Sequence, residues 1–417
     1  MAAVIVALAL LGTATRAAGQ REAVLHNFGV SSRDGAYPFG SLIFDSAGNL
    51  YGTTATGRGE SEGGTVFELI PNGSGAWTEK ILHTFSNKGT DGVGPYAGVT
   101  FDAAGNLYGT TSEGGGPYNC GNETCGTVYE LSPQSDGSWA EAVLHSFQPN
   151  GTDGYRPYCS LVLDAEGNLY GTTVQGGAYE GGTVFELKRT AGGGWTEEIL
   201  HNFDNNGVDG WNPYFGGLTF DAGGDLYGTT AQGGLYGYGT VFEMKPKSGG
   251  SWTERVLYNF EEFGSVGSDP AGGLILDTSG NLYGTAAGGA NEGGTVFELK
   301  STAGGGWIGE ALYSFTKNSA EGYGPGTGVI FDSTGNLYGT AASGGAYNSF
   351  VYGGGTVFEL KATAGAGWMD ETLHSFGSGV DGAYPQSGMI FDSSGQLYGM
   401  TQDGGPDGYG MVFEIRP

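Results

Sequence analysis

Apolar and polar residues alternate along this chain in short runs bounded by Gly, Asn, Asp and Pro. No stretch beyond the first twenty residues keeps a helical period over a dozen positions. Four runs come first: Leu42–Asp45, Asn49–Thr54, Thr65–Leu69 and Trp77–Phe85, each with the alternation of a short β-strand. The first two are joined by D-x-x-G-N, a tight hairpin signal. The set then recurs. An L-Y-G tripeptide marks each copy, at Tyr51, Tyr108, Tyr170, Tyr227, Tyr283, Tyr338 and Tyr398, with intervals of 55 to 62 residues. A period of that size indicates a solenoid, propeller or array. Seven units of four strands with no helices predict an all-β chain folded as a seven-bladed β-propeller. An open solenoid fits less well, because its repeats are usually shorter and its terminal edges need capping. Apolar residues at both parities of a strand are expected, since both faces of a blade pack against neighbours.

The two ends of the repeat region complement each other. Leu25-His26-Asn27-Phe28 matches the fourth strand of a repeat lacking its first three, and Met411–Ile415 matches a third strand lacking its fourth. Residues 22–28 are therefore expected to complete the last blade, closing the ring and covering its edge.

Composition adds to this picture. Gly accounts for 86 of 417 residues, about three times its usual share, but it recurs at fixed repeat positions, which argues for packing rather than disorder. Ala2–Leu11 is apolar, too short to span a bilayer, and leads into Ala17, Ala18 and Gly19. Although no Lys or Arg precedes it, residues 1–19 read as a secretory signal peptide cleaved near Gln20. That leaves 20–417 as one propeller domain, secreted or otherwise extracytoplasmic. A formal net charge of −28 disfavours nucleic acid and anionic membranes as partners. Cys120 and Cys125, in a Gly-rich loop of an exported chain, suggest a local disulfide, with Cys159 left over as a packed residue. A zinc site at Cys120 and Cys125 would need further ligands, and no His is near in sequence.

Through its GNLYGTT and GTVFEL motifs, over essentially the whole mature region, the chain resembles the GloVer tandem-repeat proteins, a bacterial group with variable C-terminal anchors. The resemblance implies no established activity. The sequence given stops at Pro417 directly after a repeat strand, without a hydrophobic tail, so a soluble exported monomer is the expectation.

A residue present in all seven copies is most simply explained by blade construction. This covers the hairpin aspartates (Asp45, Asp102, Asp164, Asp221, Asp277, Asp332, Asp392) and the strand glutamates (Glu68, Glu130, Glu186, Glu243, Glu298, Glu359, Glu414), and the tryptophans that open six of the outer strands are read as packing residues. His26, His83, His145, His201 and His374 share one repeat position, occupied by Tyr258 and Tyr313 in the other two copies. Lying on different blades, they are not expected to converge into a histidine-rich metal centre or a Ser-His-Asp triad. The Gly-x-Gly spacings carry no dinucleotide signal in so Gly-rich a chain, and no Walker-type motif is present.

Function is then expected on one rim, where the loop from an outer strand to the next blade and the loop between second and third strands emerge together. The first carries D-G-x-x-P, suggesting a ring of carboxylates around the central opening, with turn formation as the simpler alternative. Asp34, Asp91, Asp153, Asp209, Glu321 and Asp381, together with Trp211, form the expected ligand-binding set. The second set of loops varies. It holds Glu60, Glu62, Glu113, Glu180, Glu292 and Asp403 beside Gln175, Gln232, Gln402 and tyrosines including Tyr118, Tyr179, Tyr236, Tyr347, Tyr352 and Tyr409. Carboxylates, amides and exposed aromatics form the mixture that binds sugars. The same oxygens could hold Ca²⁺, although the faintly calcium-loop-like Asp204–Asp209 lacks a later bidentate Glu. The leading expectation is a non-catalytic module binding glycan or an extracellular protein. The alternatives are a carbohydrate-active enzyme with a loop carboxylate pair and a structural surface protein.

Overall fold

The computed structural model describes residues 22–417 apart from 58–62, 74, 87, 89, 118–123, 348–349, 351–352, 364–366 and 379. The proposed signal segment, Cys120, Glu60, Glu62, Tyr118 and Tyr352 lie outside the described residues. Those described contain strands and turns and no helix. In the first blade Ile43–Phe44, Leu50–Thr54, Thr65–Pro71 and Trp77–Thr84 pair antiparallel in chain order. The same unit recurs around a seven-bladed propeller. The last blade takes three strands from the C-terminal repeat, and Glu22–Asn27 supplies its outermost strand, pairing from Glu22↔Ile415 to Asn27↔Met411. The ring is closed as the complementary ends predict.

The hairpin aspartate does the turn chemistry expected of it. Asp45 Oδ1 accepts from the backbone N–H of Ala47 (2.8 Å) and of Asn49 (2.9 Å), and Oδ2 accepts from the Asn49 amide. Tyr51 of the L-Y-G motif donates its hydroxyl to Glu68 at 2.7 Å, so the strand glutamate is buried with a partner. Further blades add a lysine, as in Lys188–Glu186 at 3.2 Å. The repeated acids are thus bound into blade construction.

The core is divided into seven layers between blades. The layer holding Tyr51, Val66, Leu82 and Phe85 from the first blade, for example, is completed by Val99, Leu107, Tyr129 and Leu131 from the second. At the end of every outer strand a fully buried Phe meets an aromatic ring of the next blade. The contacts run Phe28–Phe67, Phe85–Tyr129, Phe147–Phe185, Phe203–Phe242, Phe260–Phe297, Phe315–Phe358 and Phe376–Phe413, with centroids 5.0–5.4 Å apart. Tilted or edge-on pairs at this spacing add to area burial. Because the chain of contacts has no gap, the closing strand is packed as fully as any other. A bulge interrupts each outer-strand pairing one residue before the His or Tyr position, as between Val66 and Phe67 opposite His83 and Ile81. Bulges re-aim side chains. Here Leu82 enters the core while His83 turns towards the loop that follows.

The structure also contains short ribbons absent from the sequence reading. Gly35–Ala36 pairs with Thr56–Gly57, and equivalent ribbons recur in the second, third, fourth and seventh blades; in the fifth the pairing runs onto the main sheet, Ser268–Pro270 against Leu282–Gly288, and in the sixth it is the single bridge Tyr323↔Ser343. They join the D-G-x-x-P loop to the loop between second and third strands, which places both sets on one face as expected.

Candidate functional site

Each D-G-x-x-P loop runs inward across a blade interface, from the outer strand to the ring axis. The residue before the proline is left-handed in all seven copies: Tyr37, Gly94, Arg156, Asn212, Asp269, Gly324 and Tyr384 have φ between 53° and 71°. This conformation is uncommon for side chains other than Gly and unusual before proline. It is held by bonds on both sides: Arg156 N–H donates to Cys125 O of the preceding blade, and Arg156 O accepts from Val174 N–H of its own. The proline ring then lies on the Gly that opens the preceding blade's third strand, as Pro213 lies on Gly182.

Immediately after the proline the chain reaches the axis. Phe39, Tyr96, Tyr158 and Tyr214 hold this position in four consecutive blades, and Ala271, Gly326 and Gln386 hold it in the other three. The fourth blade has one extra residue, Phe215, also left-handed at φ 53°. The rings touch in series, Phe39–Tyr96 at 5.3 Å, Tyr96–Tyr158 at 5.2 Å and Tyr158–Tyr214 at 5.1 Å, while Phe215 stacks parallel to Phe39 at 6.4 Å. Phe39, Tyr96, Tyr158 and Phe215 form an aromatic arc lining one side of a cavity of about 270 Å³, with Tyr214 packed against Tyr158 and Phe215 outside the lining. The cavity is bordered by Ser41, Gly98, Ser160, Gly217, Gly273, Gly328 and Gly388, one from each blade, and so lies on the axis. Its volume is near the lower end of small-molecule sites, about 300–1,000 Å³. Arg156 adds a cation beside the arc, close enough to oppose the upward push that burial gives the Tyr214 phenol.

The expected carboxylate ring does not surround this opening. Asp34, Asp91, Asp153, Asp209 and Asp381 stand at the outer end of their loops, where the chain leaves the outer strand, and none borders the axial cavity. Each meets the histidine eight or seven residues before it, at 3.5, 3.4, 3.2, 3.0 and 3.1 Å respectively. Their oxygens also hold the turn, as Asp91 does by accepting from Ser86 and Gly92 N–H. A glutamate from the next blade's outer strand completes each group: His26–Asp34–Glu79, His83–Asp91–Glu141, His145–Asp153–Glu197, His201–Asp209–Glu254 and His374–Asp381–Glu22. The histidines do not converge with one another; each converges instead with two acids from other segments. Burial, with the second carboxylate beside it, pushes Glu22 and Glu79 up to about 7 and Glu197 up to about 8. Glu254 is raised to about 7 in the same way.

The other expected residues lie nearby. Trp211 sits on the ribbon of the fourth blade with its ring against Gly181 of the third, outside the cavity lining. Glu321 accepts from the Tyr313 hydroxyl at 2.7 Å. Asp204 and Asp209 are drawn into Asx-type bonds with Asn206 and the backbone. Cys125 is disulfide-bonded and Cys159 is a free, buried thiol.

One interface has lost its histidine but kept two acids, Tyr313, Glu321 and Asp370. Burial first, then Glu321 and Glu371, pushes Asp370 up to about 7 from a carboxylate value of 3.8. A raised carboxyl pKa favours the folded state fully below the unfolded value, and that contribution is lost as pH rises through the folded value. Asp370→Asn is therefore expected to stabilise the protein at pH 8 by about 1–2 kcal/mol, after discounting for partial exposure, and to change little at pH 4. Urea unfolding at the two pH values checks this; an equal shift at both would show that titration is not involved.

The Gloeobacter/Verrucomicrobia repeat matches the chain over residues 117–349 and 256–417. No curated protein matches it. Among solved structures it is similar to the extracellular domain of a protein from B. thetaiotaomicron described as a hybrid two-component system. The identity is 12% and the TM-score 0.56, covering 95% of this chain and 40% of that one. It is also similar to a protein of unknown function from Dyadobacter fermentans (12% identity, TM-score 0.47, 95% and 98% covered). A third is a protein from Thermus thermophilus described as an oxidoreductase (glucose dehydrogenase), at 15% identity and TM-score 0.43, with 78% and 94% covered.

Proposed function

The chain belongs to the Gloeobacter/Verrucomicrobia repeat family, and we propose that it is an exported, non-catalytic binding module that takes glycan or other cell-envelope material at the aromatic mouth of its axial cavity. The observation that carries this reading is the asymmetry of the mouth. The blades repeat closely in their strands, yet the residues after the proline are aromatic on four neighbouring blades and small or polar on the other three. Blade construction does not call for that difference, since the Pro–Gly packing beneath is the same throughout. Variable positions on a rigid frame are where function usually resides. Flat rings with edges of hydroxyl, amide and serine suit the apolar faces and hydroxyl rims of sugars. Tyr214, packed against Tyr158 and Phe215, is 37% exposed and available for stacking.

Raised carboxyl groups are a mark of catalytic sites, and they are the feature that favours an enzyme. Their recurrence at blade interfaces away from the cavity weighs against that reading.

A glycan array followed by product analysis of each hit tests the proposal. Tyr158→Ala and Phe215→Ala are expected to weaken binding at least about tenfold, with Trp211→Ala acting in the same direction. No new reducing ends or unsaturated products should appear. Turnover abolished by a single loop Asp→Asn would replace the proposal with a carbohydrate-active enzyme. Tight retention of a protein with no glycan hit would change the ligand class.

A further inference from the structure

We propose that the five His–Asp–Glu groups between blades are divalent metal sites, each ion joining two neighbouring blades through one imidazole nitrogen and two carboxylates. In each group the three ligand atoms lie within 4.8 Å of one another. The site of His145, Asp153 and Glu197 shows the arrangement best. His145 Nε2 is 3.2 Å from Asp153 Oδ2 and 3.6 Å from Glu197 Oε1. Asp153 is only 5% exposed, and its other oxygen, Oδ1, is buried without a hydrogen-bond partner, as is Glu197 Oε1. Glu22, Glu79, Glu141 and Glu254 each leave the same Oε1 atom buried and unpartnered. Among the described residues no Lys or Arg pairs with any of these five glutamates, so two carboxylates face each other with one imidazole between them. A buried oxygen left in this state is costly unless a cation or proton reaches it.

A second observation is that at one interface all three positions change together, whereas at the Tyr313 interface the histidine alone is lost and the acids Glu321 and Asp370 remain. Where Tyr258 replaces the histidine, Val266 stands in place of the aspartate and Gly309 in place of the glutamate. The tyrosine ring fills the space, lying where a Cβ on residue 309 would come within 2.8 Å of it. An aspartate needed only for its turn would have no reason to disappear together with a glutamate from the following blade. A shared task lost as a whole explains the change at Tyr258, Val266 and Gly309.

The ligand set indicates the class of ion. Imidazole with carboxylates suits Zn²⁺ or Mn²⁺, whereas Ca²⁺ takes oxygen ligands throughout. The histidines are 17–21% exposed, which leaves room for water to complete the coordination. Backbone N–H groups bonded to the aspartates, such as Gln148 N–H to Asp153 Oδ2, hold that ligand in orientation.

The test uses the full protein without a polyhistidine tag, stripped with chelator and dialysed against Zn²⁺. Up to five equivalents are expected by elemental analysis, with a rise in melting temperature of about 5 °C or more. Glu197→Gln, close in shape, should lower the count by one and leave the other sites filled. Co²⁺ should give a visible spectrum that loses about one fifth of its intensity in the same variant. Fewer than one equivalent bound to the wild type, or a count unchanged when all five glutamates are Gln, would overturn the proposal. So would a melting temperature that responds to acid and not to metal, since the groups would then be bridged by a proton alone.

Discussion

Deleting Glu22–Phe28 should lower the melting temperature by about 10 °C or leave a protein that aggregates on expression. This strand contributes in three ways at once. Its pairing with Met411–Ile415 supplies the fourth strand of the last blade. Phe28 is fully buried against Phe67 of the first blade, and losing a core Phe costs about 3–5 kcal/mol. Finally, Glu22 and His26 enter two different acid–histidine groups, one on each side of the blade: Glu22 joins His374 and Asp381, and His26 joins Asp34 and Glu79. Without the strand, Met411–Ile415 becomes an open edge, which is an aggregation hazard. Thermal melting and size-exclusion elution of the truncated chain check this. A monomer with an unchanged melt would show that six blades and three strands are stable alone and that the closing strand contributes little.

The fold was legible because it is written seven times. Strand positions read from Leu42–Asp45, Asn49–Thr54, Thr65–Leu69 and Trp77–Phe85 agree with the observed strands to within about two residues at either end. The turn aspartates, the loop face and the closing strand followed from the same repetition. What could not be read was radial position. Asp34 and Phe39 are five residues apart in one loop, but the loop crosses the blade from rim to axis, so the acid ends beside His26 and the aromatic ends at the cavity. Assigning the whole D-G-x-x-P motif to the central opening therefore placed the carboxylates in the wrong part of the ring. A signal was nonetheless present. With the seven copies aligned on the invariant proline, the residue after it reads Phe39, Tyr96, Tyr158, Tyr214, Ala271, Gly326 and Gln386, aromatic in four consecutive copies and in none of the other three. The joint change at Tyr258, Val266 and Gly309 was equally visible, though only contact between outer strands of adjacent blades, remote in sequence, gives it meaning.

The abundance of glycine has two different physical causes, and one pair of substitutions separates them. Gly182 and Gly193 are both left-handed, at φ 92° and 83°. A Cβ on Gly193 would meet nothing within 4 Å, whereas on Gly182 it would stand 2.1 Å from Thr173 O and 3.0 Å from the Pro213 ring of the next blade. Gly193→Ala should therefore cost only the backbone penalty of a left-handed Ala, about 1–2 kcal/mol. Gly182→Ala must in addition displace either the second strand of its own blade or the loop that leads to the axis. The expected loss is about 3–5 kcal/mol, within the range of severe core disruptions. Because Pro213 is followed by Tyr214 and Phe215, this substitution should also disturb the aromatic arc and weaken ligand binding, while Gly193→Ala leaves binding intact. Denaturant unfolding of the two variants beside the wild type decides the point. Equal losses would mean that glycine serves these loops only through backbone freedom, and that close approach between blades is not what fixes its place in the repeat.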